Sequence, residues 1–320
     1  MSENKKRILL IYPPSPVMNR EDRCQQPTKE LLVIPPLPPT DLLYLAAVAE
    51  KNGLEAKIED YSQGGDYEKD LKEFNPDYLV VNIATPTLEH DLQAVKLAKE
   101  ICPNIVTIAK GAAFLTLGEK ILKENSALNY GILGEAEETL KEILEGKPKA
   151  DILGIYYFED SQVKFTGKRP FIEDLDSLPF PARHLVNNNI YRRPDNNKVQ
   201  ATVKVSRGCP FHCFFCLATP VSGAKVRKRS PENIVMEIRE CVEKYNIRNF
   251  LFWSDIFNVD RKWTFDLCNA IIDSGLDITW SANTRADTAD LEMAELMYKS
   301  GCRLVSIGVE SGSQYMLEQM

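Results

Sequence analysis

Three cysteines dominate the chemistry open to this chain. Cys209, Cys213 and Cys216 stand at C-x3-C-x2-C spacing within Ser206-Arg207-Gly208-Cys209-Pro210-Phe211-His212-Cys213-Phe214-Phe215-Cys216. Thiolates this close in sequence can take three corners of a metal cluster and leave the fourth without a local protein ligand. An open corner lets one iron bind and transform a small molecule rather than only pass electrons. A structural zinc site is the plainer reading, but zinc asks for four closed ligands. His212 is awkwardly placed beside Cys213, and the other cysteines (Cys24, Cys102, Cys241, Cys268, Cys302) are scattered. Cys241 and Cys268 fall on apolar helix faces and read as core thiols. A plain ferredoxin cluster would need a fourth cysteine nearby, and the sequence has none there.

The elements around the loop must place it. Ala201–Val205 is a β-type run leading straight into the cysteines. Asn249–Trp253, Ile278–Ala282 and Arg303–Gly308 read as further strands. Between them a helix opens at Ser230-Pro231, with serine as N-cap and proline at the first helical position. Others span 263–274 and 290–300. Repeated βα units of this size predict part of a barrel with its chemistry at the C-terminal strand ends. Four strands do not close a barrel of about eight, so a truncated chain is expected. Arg227 and Arg229 read as solvated charge ahead of the Ser230 cap.

The first half also alternates strand and helix. Strands are expected at Arg7–Tyr12, Ala56–Tyr61, Tyr78–Ala84, Ile105–Ala109 and Tyr130–Leu133. Helices are expected from a Thr40 or Asp41 cap to near Gly53, and at Tyr67–Phe74, Leu88–Ile101, Leu115–Lys123 and Ala136–Leu144. Short apolar strands in βα alternation predict a doubly wound parallel sheet covered on both faces, with a ligand at its C-terminal strand ends. Ile152–Phe158 and Gln162–Phe165 flank a turn and read as a hairpin. The proline-rich run from Arg169 to Pro181 reads as an extended connector holding the domain boundary. The expected domains are 1–150, a linker over 151–195, and 196–320.

Length and composition fit two domains. The chain has 320 residues, 44% hydrophobic, 27% charged, with a net charge of −7. That balance argues against nucleic acid or anionic membrane as a partner. The N-terminus lacks the apolar core of a signal peptide, and Leu42–Ala49 is too short to span a bilayer. The protein reads as cytoplasmic. Its cysteines are then mostly reduced, and a tight cluster of them favours a metal over disulfides.

The cysteine loop, after a strand and with Phe215 just before Cys216, resembles the signature of the radical S-adenosylmethionine (SAM) superfamily. The first half is similar to the cobalamin-binding domain fused ahead of one large branch of it. The segments that carry this likeness are Ile11-Tyr12-Pro13-Pro14, Pro35-Pro36-Leu37 and Gly134-Glu135-Ala136-Glu137-Glu138-Thr139-Leu140. The connector Asp174-Leu175-Asp176-x2-Pro179-x-Pro181-Ala182-Arg183 matches the same branch. The resemblance implies that Cys209, Cys213 and Cys216 ligate a [4Fe–4S] cluster whose open iron chelates SAM. An electron from the cluster would split SAM to a 5′-deoxyadenosyl radical, which abstracts hydrogen from an unactivated carbon. An external electron donor of flavodoxin or ferredoxin type is implied as well.

The same resemblance places SAM-binding residues at Phe215, Ser254, Asp255, Asn283, Arg285 and Glu310. The family often has Gly-Gly-Glu after the second strand, where this chain has Trp253-Ser254-Asp255. Asp255 would meet the SAM ammonium, or cap the following turn. Asn283 suits ribose hydroxyls and Arg285 the SAM carboxylate. For cobalamin the expected positions are Pro13, Thr85, Thr87, Gly111, Ala112, Gly134 and Glu135, whose small residues would admit a corrin ring. No Asp-x-His-x-x-Gly loop is present, and His90 reads as helix-start surface. The reading is a cobalamin-dependent C-methyltransferase. The alternatives are an oxidative cyclase with a degenerate cobalamin domain, acting on a tetrapyrrole-like or lipid-like substrate, and a non-catalytic corrinoid or metal-binding module.

Overall fold

The computed structural model describes residues 5–16, 18–21, 24–27, 37–193 and 195–320. Pro35 and Pro36 of the resemblance lie outside the described residues. The chain divides into two compact units. Among the described residues, the first holds those up to 27 with 39–172 and 178–187, and the second holds 37–38, 173–177, 188–193 and 195–320. Among the described residues no helix is long and apolar enough to cross a membrane.

In the first unit β1 (Arg7–Tyr12) is followed by a short antiparallel pair, β2 (Met18–Glu21) and β3 (Cys24–Pro27). The main series then runs α1 (Thr40–Lys51), β4 (Glu55–Asp60), α2 (Tyr67–Phe74), β5 (Tyr78–Asn82) and α3 (Leu88–Ile101). It continues through β6 (Val106–Lys110), α4 (Phe114–Glu124), β7 (Tyr130–Ile132) and α5 (Glu137–Leu144). The hairpin strands β8 (Ile155–Glu159) and β9 (Gln162–Phe165) close it. The sheet order is β4-β1-β5-β6-β7-β8-β9. β4, β1, β5, β6 and β7 are parallel; β8 and β9 add antiparallel strands at one edge. Asp160 and Ser161 turn this hairpin at positive φ, 49° and 62°, the backbone a tight two-residue turn needs.

The strand pleat sorts the core. Ile8 and Leu10 pack with α1 and α5, while Leu9 and Ile11 pack with α2, α3 and α4. All four are fully buried, each worth about 1.5–3 kcal/mol. The doubly wound expectation holds. One detail differs: neither Thr40 nor Asp41 caps α1. The N-cap position is Pro39, without a side-chain cap, and Asp41 lies in the first turn.

In the second unit β10 (Gln200–Lys204) leads into β11 (Ser206–Arg207), then α6 (Ala218–Ser222), β12 (Arg227–Lys228) and α7 (Pro231–Tyr245). β13 (Asn249–Trp253), α8 (Arg261–Asp273), β14 (Thr279–Thr284), α9 (Leu291–Lys299), β15 (Cys302–Ile307) and α10 (Gln314–Gln319) follow. The sheet is parallel in sequence order, β10-β13-β14-β15, as in a run of barrel βα units. One face carries Val203, Phe250, Phe252 and Trp280 into a core with α7, α8 and α9. Phe252 stacks on Trp280 at 4.8 Å between centroids. Ser230 caps α7 as expected, accepting from Asn233 N at 3.1 Å, and Pro231 takes the first helical position. Asp260 and Asp290 cap α8 and α9 in the same way.

Candidate functional site

The cysteine loop leaves the C-terminal end of β10 and is closed at its base by a small antiparallel ladder. Ser206 pairs with Lys228 and Arg207 with Arg227. Gly208 follows at φ +97°, and a Cβ there would meet the Lys225 carbonyl oxygen at 2.1 Å. Only glycine lets the outgoing and returning limbs pass so closely. Cys209 N–H donates to the Gly223 carbonyl at 3.0 Å, and Cys216 N–H to the Cys213 carbonyl at 3.0 Å. The Thr219 hydroxyl reaches the Phe211 carbonyl at 3.1 Å. Backbone turns thus fix the course of the thiol-bearing segment at its base.

All three thiols are free; Cys209 and Cys213 are half-buried and Cys216 is exposed. Burial pushes the Cys209 thiol up, opposed by a hydrogen bond from the Phe211 backbone, while Asp255 and the other two thiols push it further up. Among the described residues no three His, Cys, Asp or Glu side chains are gathered as ligands of one ion. A cluster does not ask for that gathering, because each cysteine binds a different iron. Cys241, Cys268 and Cys302 are buried in the helix-facing core, and burial pushes the thiols of Cys268 and Cys302 up to about 11. His212 is exposed. The donor set of three accessible thiols therefore fits a cluster with an open corner.

The strand ends bring some expected residues to this loop and not others. Asp255, two residues past β13, accepts the Gly208 N–H on Oδ2 at 2.6 Å. Arg285, just past β14, lies over the Phe211 ring at 4.1 Å. Its guanidinium is also held by Asp287 through two bonds of 2.9 and 2.7 Å. Asp287 raises the Arg285 pKa, and the Cys213 and Cys209 thiols act in the same direction. Asn283 belongs to β14 itself, beside Ser306 of β15, so the third strand runs further than expected. Ser254 is fully buried. Phe215 is 47% exposed and meets Phe214 edge-on at 5.7 Å. Glu310 is exposed at φ +59°. A Cβ at Gly308 would meet its Oε1 at 2.4 Å, so the acid turns back on its own strand end.

The arginines read as solvated charge are a correction. Arg227 and Arg229 are each only 4% exposed. Arg229 is ion-paired with Glu237, whose side chain is fully buried. It also donates to Asn233 Oδ1 at 2.7 Å and to the Lys204 carbonyl at 3.1 Å. Trp263 Nε1 donates to the Arg229 carbonyl at 2.8 Å. Asp176 accepts the Ser230 N–H at 3.0 and 3.2 Å. The overlooked signal was Glu237, a charge on the same helix stripe as Ile234, Ile238 and Cys241.

In the first unit the chain leaves β1 in both directions across the sheet, so its switch point lies between β1 and β5. Pro13 ends β1, while Thr85 and Thr87 follow β5. Gly111 and Ala112 follow β6, and Gly134 and Glu135 follow β7. All therefore share the C-terminal edge. Their roles diverge. Thr87 donates to Asp91 Oδ2 at 2.9 Å, and Asp91 also accepts the Ala84 N–H at 2.8 Å. Glu135 accepts the Ile172 N–H at 2.6 Å. Gly111, at φ +148°, would drive a Cβ to 2.2 Å from the Ile83 carbonyl oxygen, so the sheet itself demands this glycine. Gly134, at φ +89°, has nothing within 4 Å of a built Cβ, which leaves its backbone approachable by a large ring. Sequence reasoning missed the pair Lys110–Asp41, 2.9 Å apart with side chains 7% and 23% exposed. His90 is exposed within α3, as expected.

These two units match two known domains. The radical SAM superfamily domain matches residues 203–320, and the B12 binding domain matches residues 35–144. The uncharacterized methyltransferase PH0819 of Pyrococcus horikoshii is 30% identical over 91% of this chain and 67% of its own length. Cytidylyl-2-hydroxyethylphosphonate methyltransferase of Streptomyces wedmorensis is 28% identical over 98% of this chain and 67% of its own. The anaerobic magnesium-protoporphyrin IX monomethyl ester cyclase of Cereibacter sphaeroides is 26% identical over 88% of this chain, which spans 48% of that protein. The fold is that of the radical SAM methyltransferase TsrM of Kitasatospora setae, with a TM-score of 0.73 at 17% identity. The alignment covers 98% of this chain and 60% of that one, whose structure holds cobalamin and a [4Fe–4S] cluster.

The fold and the cysteine loop define an iron–sulfur enzyme on a parallel α/β frame. The chain belongs to the radical SAM superfamily, in the branch that carries a B12-binding domain ahead of the radical SAM domain. Its cofactors are a [4Fe–4S] cluster, SAM and cobalamin.

Proposed function

We propose that this chain catalyses cobalamin-dependent methylation of an unactivated carbon. The observation that carries the reading is the open three-thiol loop at the end of β10, in a chain whose other unit is a doubly wound B12-type sheet. When bound, the cluster and SAM supply a carbon radical able to take hydrogen from such a carbon, and cobalamin supplies the methyl group. Cys209, Cys213 and Cys216 hold the cluster. The two-strand base and the Gly208 passage fix where the thiols stand. Ser254 and Asn283 lie at the strand ends of the same sheet, where SAM hydroxyl and amino groups would find partners, and Phe215 offers an exposed ring beside Cys216. Asp255 and Arg285 follow the same two strands and engage the loop, and Glu310 follows β15. Cobalamin would approach the edge formed by Pro13, Thr85 and Gly134, with Thr87, Gly111, Ala112 and Glu135 shaping the turns behind it. A flavodoxin- or ferredoxin-type donor and a reducing cytoplasm suit this chemistry.

Anaerobic reconstitution tests the reading. Wild type should take up about four irons per chain, and the triple change of Cys209, Cys213 and Cys216 to alanine should take up none. Hydroxocobalamin should stay with the protein through gel filtration. Zinc in place of iron, or iron that survives the triple substitution, sinks the cluster assignment. The cyclase relatives favour a second reading, oxidative ring closure. A loaded protein that retains no cobalamin would favour it over methyl transfer.

A further inference from the structure

Two strand-end side chains grip the segment that carries the thiols. Asp255 receives the N–H of Gly208, the residue immediately before Cys209, at 2.6 Å. A hydrogen bond to a carboxylate is about twice as strong as a neutral one. Gly208 has no slack, because the Lys225 carbonyl stands 2.1 Å from where its Cβ would be. Arg285 covers the ring of Phe211, which lies midway between Cys209 and Cys213. Its planar fork is locked edge-on by two bonds to Asp287. A guanidinium fixed on two sides holds a stacked ring in one plane. One anchor therefore acts on the backbone just before the first thiol, and the other on the side chain between the first and second.

We infer that Asp255 and Arg285 are positioning residues for the cysteine loop, holding Cys209 and Cys213 in register through Gly208 and Phe211. This rests on the assignment of the three cysteines as cluster ligands. It differs from the family-derived expectation, in which both side chains serve SAM. It makes the ends of β13 and β14 part of the cluster's cradle, so SAM affinity and cluster retention become separable in variants of the two residues.

The test is iron release from the reconstituted full chain, challenged anaerobically with EDTA. The melting temperature of each apoprotein, read by tryptophan fluorescence, serves as the control. Asp255→Ala and Arg285→Ala should each release iron severalfold faster than wild type while apoprotein melting stays the same. Asp255→Asn keeps an oxygen for the Gly208 N–H and should retain iron almost as wild type does. Electron paramagnetic resonance of the reduced alanine variants should show a broadened cluster signal. Iron release at the wild-type rate in both alanine variants would overturn the inference. Asp255→Asn losing iron as fast as Asp255→Ala would remove the hydrogen-bond role from Asp255. If Asp255→Ala melts early as apoprotein, Arg285→Lys decides by the same assay, since it keeps the charge and loses the fork. Wild type that takes up no iron sinks the cluster assignment and the inference together. Wild type that loads beside alanine variants holding iron equally well sinks the inference alone.

Discussion

Glu237→Gln should destabilise the second unit by about 3–5 kcal/mol, the usual cost of removing one charge of a buried ion pair. The environment sets that size. Arg229 is 4% exposed, and the Glu237 side chain is fully buried. A guanidinium cannot shed its proton to escape. Its bonds to Asn233 Oδ1 (2.7 Å), the Lys204 carbonyl (3.1 Å) and the Asn233 carbonyl (3.3 Å) satisfy donors but supply no opposite charge. Glutamine keeps the volume and one acceptor oxygen, so packing is not the variable. The three tryptophans, Trp253, Trp263 and Trp280, all lie in this unit, and Trp263 bonds directly to the Arg229 carbonyl. Tryptophan fluorescence therefore reads its melting separately from the other unit. The midpoint should fall by roughly 10 °C or more. A double change, Arg229→Met with Glu237→Met, removes both charges and should cost clearly less than the single one. A single-variant loss below about 1 kcal/mol, or a double variant worse than the single, would refute the reasoning.

Gly111→Ala should destabilise the first unit by roughly 2–5 kcal/mol, from backbone strain at φ +148° and overlap with the Ile83 carbonyl. Scanning calorimetry of the apoprotein should show it; an unchanged apoprotein transition would contradict the strain account. Asp260→Asn addresses pH. The Lys228 ammonium and the Trp263 N–H hold the Asp260 carboxyl below the usual carboxylate range. A depressed folded pKa contributes stability above the unfolded value, about 3.9, and that contribution is lost as pH falls through the folded one. Asparagine still caps α8, so the melting gap between wild type and Asp260→Asn should be full at pH 6 and shrink below about pH 4. A gap constant from pH 6 to pH 3 would contradict the ion-pair account.

The parallel frame was readable because buried strands announce themselves. Ile8 to Ile11 are apolar on both pleat faces, as strands covered on two sides must be. α2 and α3 were read to the residue, since their apolar spacing and ends agree. The cap of α1 was misplaced because Thr40 and Asp41 both carry capping side chains, and nothing local says that Pro39 takes the position. The thiol loop needed only spacing. What surrounds it did not yield to spacing: Asp255 and Arg285 act through partners 47 and 74 residues away, Gly208 and Phe211. Side chains that bridge strand ends leave no periodic trace. Gly111 carries a second demand that its smallness alone does not announce, since its own sheet leaves no room for a Cβ.

The short ladder between β11 and β12 has a consequence for how metal enters. It ties off the intervening segment into a ring of about twenty residues, and closing such a ring costs roughly 2–3 kcal/mol of chain entropy. Sheet and arginine contacts meet that cost during folding, so incoming iron does not. Many small metal domains fold only on their ion and lose structure to chelators. Here the apo and loaded chains should share one fold, with iron binding a ring that is already tied.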